Sequence, residues 1–223
     1  MSRHIETSEL RNALCGLCHN RLVTVNELKE RRQSIASRLR RVLAPIDRRA
    51  HASKQFKMLL SESELTSYGL SFDGEQSWTI GNRGFAGPEI DRARDKENLN
   101  VWRRFANQSE KTSLWMQIGE FASALDATSF APQLFDSVLQ RPGVATELID
   151  VTEKVNVAGL SSILTGDERS PYHEGFRRTR VIVGTIDRWI ISSGFSSTNE
   201  VWSWDDIASI VSAQVQKIGS RSS

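Results

Sequence analysis

Residues Thr24 to Lys57, TVNELKERRQSIASRLRRVLAPIDRRAHASKQFK, set the first expectation for the fold. Thr24 and Glu27 stand in capping-box register, so a helix can begin there. Its apolar stripe is Leu28, Ile35, Leu39 and Val42, a spacing that suits one face of an amphipathic helix, and Pro45 ends or breaks it. Arg31, Arg32, Arg38, Arg41, Arg48 and Arg49 fall mostly off the stripe, towards solvent or a ligand. Residues 1–58 hold 13 Lys and Arg against 5 Asp and Glu, a local net of +8. The whole chain carries only +2, which leaves −6 on residues 59–223. A basic segment joined to an acidic body suggests a polyanionic partner.

Working outward, 223 residues can bury a real core, and a hydrophobic content of 39% is too high for disorder. No apolar run approaches the roughly 18 residues of a membrane span, so no membrane crossing by helix is expected. The start MSRHIETSELRN has no apolar run of the secretory kind. Cys15 and Cys18 are the only cysteines, which gives no disulfide framework and makes a reducing cytoplasm the default compartment.

Helical spacing dominates the remaining text. Ser8 can cap a first helix with Leu10, Leu14, Leu17 and Leu22 near one face. Residues 71–88 are turn-rich, with four glycines, and read as an insertion or a hairpin around Asp73-Gly74. Pro88 opens a largely solvent-facing helix through Ile90, Ala93, Val101, Trp102 and Phe105. Leu114, Ile118, Phe121 and Leu125 hold a helical period, and Pro132 starts a short helix closed by Pro142-Gly143. In residues 145–164 apolar points recur, with Gly166 placed as a terminating glycine. The run RTRVIVGTIDRWII, 178–191, is β-branched enough for a strand or a buried helix, and the pattern does not decide. Ser203 and Asp206 precede a last helix with Ile207, Ile210, Val211, Val215 and Ile218, stopped at Gly219. The expected fold is mainly α, with room for a small β element at 72–85 and 180–192. The expected division is a helical domain over 1–198, with the insertion at 71–88, and a C-terminal helix and frayed tail over 199–223.

Catalytic and metal signals are weak by comparison. Cys15-x2-Cys18-His19 resembles half a zinc site, but no second ligand pair follows, and small cysteines on a helix are expected in the core, so no metal is expected. No serine, cysteine, histidine or carboxylate constellation has a readable catalytic spacing; Asp205-Asp206, Glu147 and Asp150 fit first helical turns. Neither an enzyme nor a cofactor is expected. Three arginine clusters remain. They are Arg40, Arg41, Arg48 and Arg49; Arg92, Arg94, Arg103 and Arg104 with Trp102 and Phe105; and Arg177, Arg178 and Arg180 beside Tyr172 and Phe176. Arginine with interleaved aromatics can grip phosphates and stack single-stranded bases without sequence preference.

Four stretches in order resemble the coat proteins of rod-shaped plant RNA viruses, of the tobamovirus and tobravirus type. They are Glu9-Leu10-x-Asn12 with Asn20 and Thr24; Ile35 through Phe56-Lys57-Met58; Arg92-Ala93-Arg94-Asp95-Lys96-Glu97-Asn98; and Tyr172-His173-Glu174-Gly175-Phe176 followed by Trp189. The matches cover about a third of the chain. This resemblance implies a four-helix-bundle-like protein that self-associates into a helical capsid around single-stranded RNA, in the virion and the host cytoplasm. It implies RNA contacts at Arg41, Arg92 and Arg94, with Arg48 and Arg49 next. Arg38 and Arg40 join them as the same basic helix. Trp78, Trp102 and Trp202 would lie in the assembly interface. The alternative is a cytoplasmic, non-enzymatic nucleic-acid-binding module that uses residues 24–57 as its contact helix.

Overall fold

The computed structural model describes residues 50–222, apart from 80–84, 86, 96–97, 140–146, 151–154, 174 and 200–201. The chain divides into two compact units, Met1–Arg49 and Ala50–Ser223, and the described residues lie in the second. Arg38, Arg40, Arg41, Arg48 and Arg49, with Cys15 and Cys18, fall outside them.

The architecture is a seven-stranded antiparallel sheet, not a helical bundle. Strands β1 (Ser71–Thr79), β2 (Leu99–Asn107), β3 (Thr112–Glu120), β4 (Glu147–Asp150), β5 (Ser161–Tyr172), β6 (Gly175–Ile186) and β7 (Trp189–Ser197) lie in the order β1-β2-β3-β7-β6-β5-β4. The helical residues 50–56 (α1), with α2 (Pro88–Asp95), α3 (Ala124–Leu139) and α4 (Trp204–Ser222), complete the described elements with two short 3-10 turns, Glu62–Glu64 and Thr66–Tyr68.

The mainly α expectation fails for a specific reason: an even spacing serves both periods. Leu114 and Ile118 are four apart, as on a helix face, but Met116 between them is equally buried, and Trp115 and Gln117 face the other side of β3. Period two therefore wins. In β2, Val101 and Phe105 likewise point with Arg103 to one face and Trp102 with Arg104 to the other. The run 178–191 resolves as strand, tight turn and strand. Ile186 pairs with Trp189 across Asp187-Arg188, and Asp187 has φ 49°, the left-handed geometry that such a turn needs. Residues 71–79 of the expected insertion form an edge strand, bulged between Phe72 and Gly74. Pro132 lies inside α3 rather than at its start.

Each sheet face has its own core. On one, Leu99, Val101, Phe105, Leu114, Met116, Ile118, Ile182, Ile191 and Phe195 pack against α4 and the segment from Ala52 to Leu70. Helix α4 presents Ile207, Ile210, Val211, Gln214, Val215 and Ile218, a clean helical stripe. Its buried Gln214 takes the Leu60 N–H on Oε1 at 3.0 Å and donates from Nε2 to Met58 O at 2.7 Å, so the helix is tied to the chain beneath it. The cap is Ser203, whose Oγ accepts from the Asp206 N–H at 3.0 Å, and the helix passes Gly219 to end at Ser222. On the opposite face Val181, Val183 and Ile190 meet Phe121, α2 and the apolar side of α3, which contributes Ala127, Phe130, Ala131, Leu134 and Phe135.

Candidate functional site: an aromatic groove beside helix α3

Helix α3 covers only part of its sheet face. It packs on β5, β6 and β7, and among the described residues no helix packs over β1, β2 and β3 on this face. The result is a groove of about 610 Å³ with α3 as one wall. Its sheet floor carries Gln76 and Trp78 from β1, Trp102 and Arg104 from β2, and Ser113, Trp115 and Gln117 from β3. Leu134, Ser137 and Val138 of α3 form the wall, with Phe85 set edge-on against Phe130 at 4.8 Å between ring centres. Arg177 of β6 and Ser196 of β7 close the far side.

Strand register orders these side chains into rows across the floor. Gln76, Trp102 and Gln117 are direct neighbours on three strands, which puts an indole between two planar amides. Next along the strands comes the row Arg104, Trp115 and Gly194. A side chain at Gly194 would begin only 2.3 Å from Trp115 Nε1, so glycine is what lets the indole lie against β7. The following row sets Ser113 beside Ser196, whose hydroxyl shares a 2.9 Å hydrogen bond with that of Thr179. The groove thus grades from an aromatic and amide end to a hydroxyl and arginine end, with Trp115 between them. No Asp, Glu, His, Cys or Lys lines it among the described residues.

Of the arginines expected to hold RNA, Arg92 and Arg94 are among the described residues. Arg92 donates from Nε to the buried Asp126 at 3.0 Å, which ties α2 to the start of α3. That hydrogen bond, set against partial desolvation, raises the guanidinium pKa above its ordinary value. Arg94 lies on α2. Arg103 serves Glu75 and Leu60 O, and Arg104 pairs with Asp73. Arg178 and Arg180 converge on the buried Asp167, and Arg180 also donates to Trp202 O and covers the Trp204 ring. Arg92, Arg103, Arg104, Arg178 and Arg180 of the second and third basic clusters are thus paired with carboxylates within the fold. Trp78 and Trp102 line the groove, whereas Trp202 packs on Tyr68 and Phe195.

Sequence reasoning missed the groove because Trp78, Trp102 and Trp115 were assigned to a loop and two helices. Their one usable signal was alternation: Trp102 and Arg104 interleave with Val101, Arg103 and Phe105, and Trp115 and Gln117 with Leu114, Met116 and Ile118.

The described unit is thus a helix-flanked antiparallel sheet with an open groove on one face. No protein-family model and no curated protein matches the chain. Among solved structures, it is similar to the extracellular domain of PknH from Mycobacterium tuberculosis, at 10% identity and a TM-score of 0.49, over 72% of this chain and 93% of that one. A second, an uncharacterized protein from Mycobacterium smegmatis (the Rv0999 ortholog), is 8% identical with a TM-score of 0.39, over 70% of this chain and 94% of that one. At these values neither likeness assigns a family or an activity. A seven-stranded sheet cannot be the bundle that the coat-protein resemblance required. The resemblance is withdrawn, and with it the capsid and the virion and host-cytoplasm placement. The nucleic-acid-binding alternative is not supported either, and most of its contact helix, residues 24–57, lies outside the described residues. Among the described residues no helix is long and apolar enough to cross a membrane.

Proposed function

We propose that residues 50–222 form a ligand-binding domain whose groove takes a small molecule with a flat or apolar body, and that it binds without catalysing a reaction. The observation that carries this reading is the floor itself: three tryptophans from three adjacent strands, flanked by amides and hydroxyls, in a cleft of about 610 Å³. Ligand sites fall in this size range and pair apolar area with a few placed polar groups. Indole faces supply contact area at small entropic cost, and Gln76 and Gln117 on either side of Trp102 can fix an orientation. Binding rather than turnover is favoured by the lining. Its ionisable described groups are two arginines, and Ser137 spends its hydroxyl on Leu134 O at 2.7 Å, so no described lining side chain is set as acid, base or activated nucleophile.

Fluorescence titration with the neutral apolar dye N-phenyl-1-naphthylamine tests it. Saturable binding, lost in Trp102→Ala while the far-ultraviolet circular dichroism is kept, is the expected result. Binding that survives the substitution would put the ligand elsewhere.

A further inference from the structure

We infer that the groove selects anions: its ligand carries an oxyanion group, such as a carboxylate or sulfonate, held at the end marked by Ser113, Ser196 and Arg177. This deepens the binding reading above and rests on it.

Charge is the first argument. Among the described lining residues Arg104 and Arg177 are cationic and none is acidic. These two arginines differ in what holds them. Arg104 is neutralised by Asp73. Arg177 lies with its guanidinium carbon 4.2 Å from the centre of the Tyr172 ring, a contact that steadies the group and leaves its charge in place. Its Nε is buried and has no hydrogen-bond partner among the described residues. Arg92, Arg103, Arg178, Arg180 and Arg188 each meet a carboxylate instead. Arg177 is thus the groove cation that meets no carboxylate among the described residues, and a guanidinium matches an oxyanion in shape as well as charge.

The donor balance points the same way. Trp115 Nε1, on the groove's middle row, is also buried with no hydrogen-bond partner among the described residues. An indole N–H can only donate, and a guanidinium can only donate. Two unsatisfied donors in the walls of one cleft, near the Ser113 and Ser196 hydroxyls, call for an acceptor-rich group. Register supplies the scale. The row of Trp102 and the row of Ser113 lie four residues apart along β3, about 13 Å at the strand rise. A ligand of two fused or linked rings with a terminal anion spans that distance.

Two dyes of matched shape make the test: 8-anilino-1-naphthalenesulfonate and its uncharged analogue N-phenyl-1-naphthylamine. Residues 1–223 should bind the sulfonate about tenfold or more tightly than the neutral dye, the effect of one charge-assisted contact. Arg177→Gln should remove that preference by weakening the sulfonate about tenfold and the neutral dye less than about twofold. Arg177→Lys, which keeps charge and most of the packing, should restore part of it. Equal affinities for the two dyes, or an equal loss of both in Arg177→Gln, would overturn anion selection. In that event neutral-dye binding lost in Trp102→Ala would leave the groove reading standing, whereas binding of both dyes indifferent to Trp102→Ala would remove the groove as the site altogether.

Discussion

One sheet face of this protein is built in two ways. Over β5, β6 and β7 it is a core: Val181, Val183 and Ile190 lie under α3, and Gly166 lets the helix approach so closely that a side chain there would meet Leu139 at 2.8 Å and Phe135 at 3.1 Å. Over β1, β2 and β3 the same face carries Gln76, Trp78, Trp102, Arg104, Trp115 and Gln117, and no described helix covers it. If the outer strands needed only stability, aliphatic residues under a longer helix would serve. Large rings edged by polar groups are the composition of a surface that meets a ligand part of the time. The difference separates residues kept for the fold from residues kept for binding, and each substitution below tests which side of that line a residue falls on.

The largest contrast is between two aromatic truncations. Phe130 is fully buried between Phe121 and Phe85, and Phe130→Ala should cost about 3–5 kcal/mol in urea unfolding, the usual range for emptying a core aromatic site. Trp102→Ala should cost about 1 kcal/mol or less and abolish dye binding. A Trp102 variant as unstable as the Phe130 variant would show that the open half is core too.

Next are the two glycines that admit a large neighbour. Gly166→Ala forces Leu139 and Phe135 off a packed helix, at about 1–3 kcal/mol by overpacking. At Gly194 the three nearest atoms to an added methyl all belong to the Trp115 ring, which borders the groove. Gly194→Ala should cost less stability than Gly166→Ala and weaken dye binding more, because the displaced indole fills the groove. The comparison breaks if Gly194→Ala proves the more destabilising and leaves binding unchanged. The opposite sheet face provides a control. Gln214→Leu strands the Leu60 N–H and the Met58 carbonyl in a buried site, and about 1–3 kcal/mol should be lost with no effect on the dyes.

How much of this was legible in the sequence follows from the same division. Helix α4 could be read because Ile207, Ile210, Val211, Val215 and Ile218 combine odd and even spacings that only a helix satisfies. Strand β3 could not, since Leu114 and Ile118 fit either period until Met116 is counted with them. Strand β1 hid for another reason. It is an edge, exposed along most of its length, and its Asp73-Gly74 sits at a bulge, so it shows turn residues and no alternation. The arginines misled because composition reports how many cations there are but not their partners. Asp167 stands 11 residues from Arg178 in sequence, and Asp126 stands 34 from Arg92, yet each pair forms an ion pair in the fold. The groove was the least legible feature, since it exists only once three strands are in register.

The smallest expected effect separates the two functions by pH. Burial alone would raise the Glu64 pKa, but hydrogen bonds from Lys217 and from Ser61 outweigh it and hold the carboxyl below its ordinary value. A depressed carboxyl contributes stability that is fully present above the unfolded-state pKa and is lost as pH falls through the folded one. Acid should therefore weaken the tie between α4 and the turn at Ser61 below the usual carboxylate range. Glu64 is partly exposed, so the contribution at neutral pH is about 0.5 kcal/mol, and Glu64→Gln should remove it. The described lining of the groove contains no Asp, Glu, His, Cys or Lys. Neutral-dye affinity should stay flat between about pH 5 and pH 9 in both wild type and Glu64→Gln. A bell-shaped or sloping affinity would mean that a titrating side chain outside the described lining reaches the bound ligand, and the groove would then have a chemistry beyond binding.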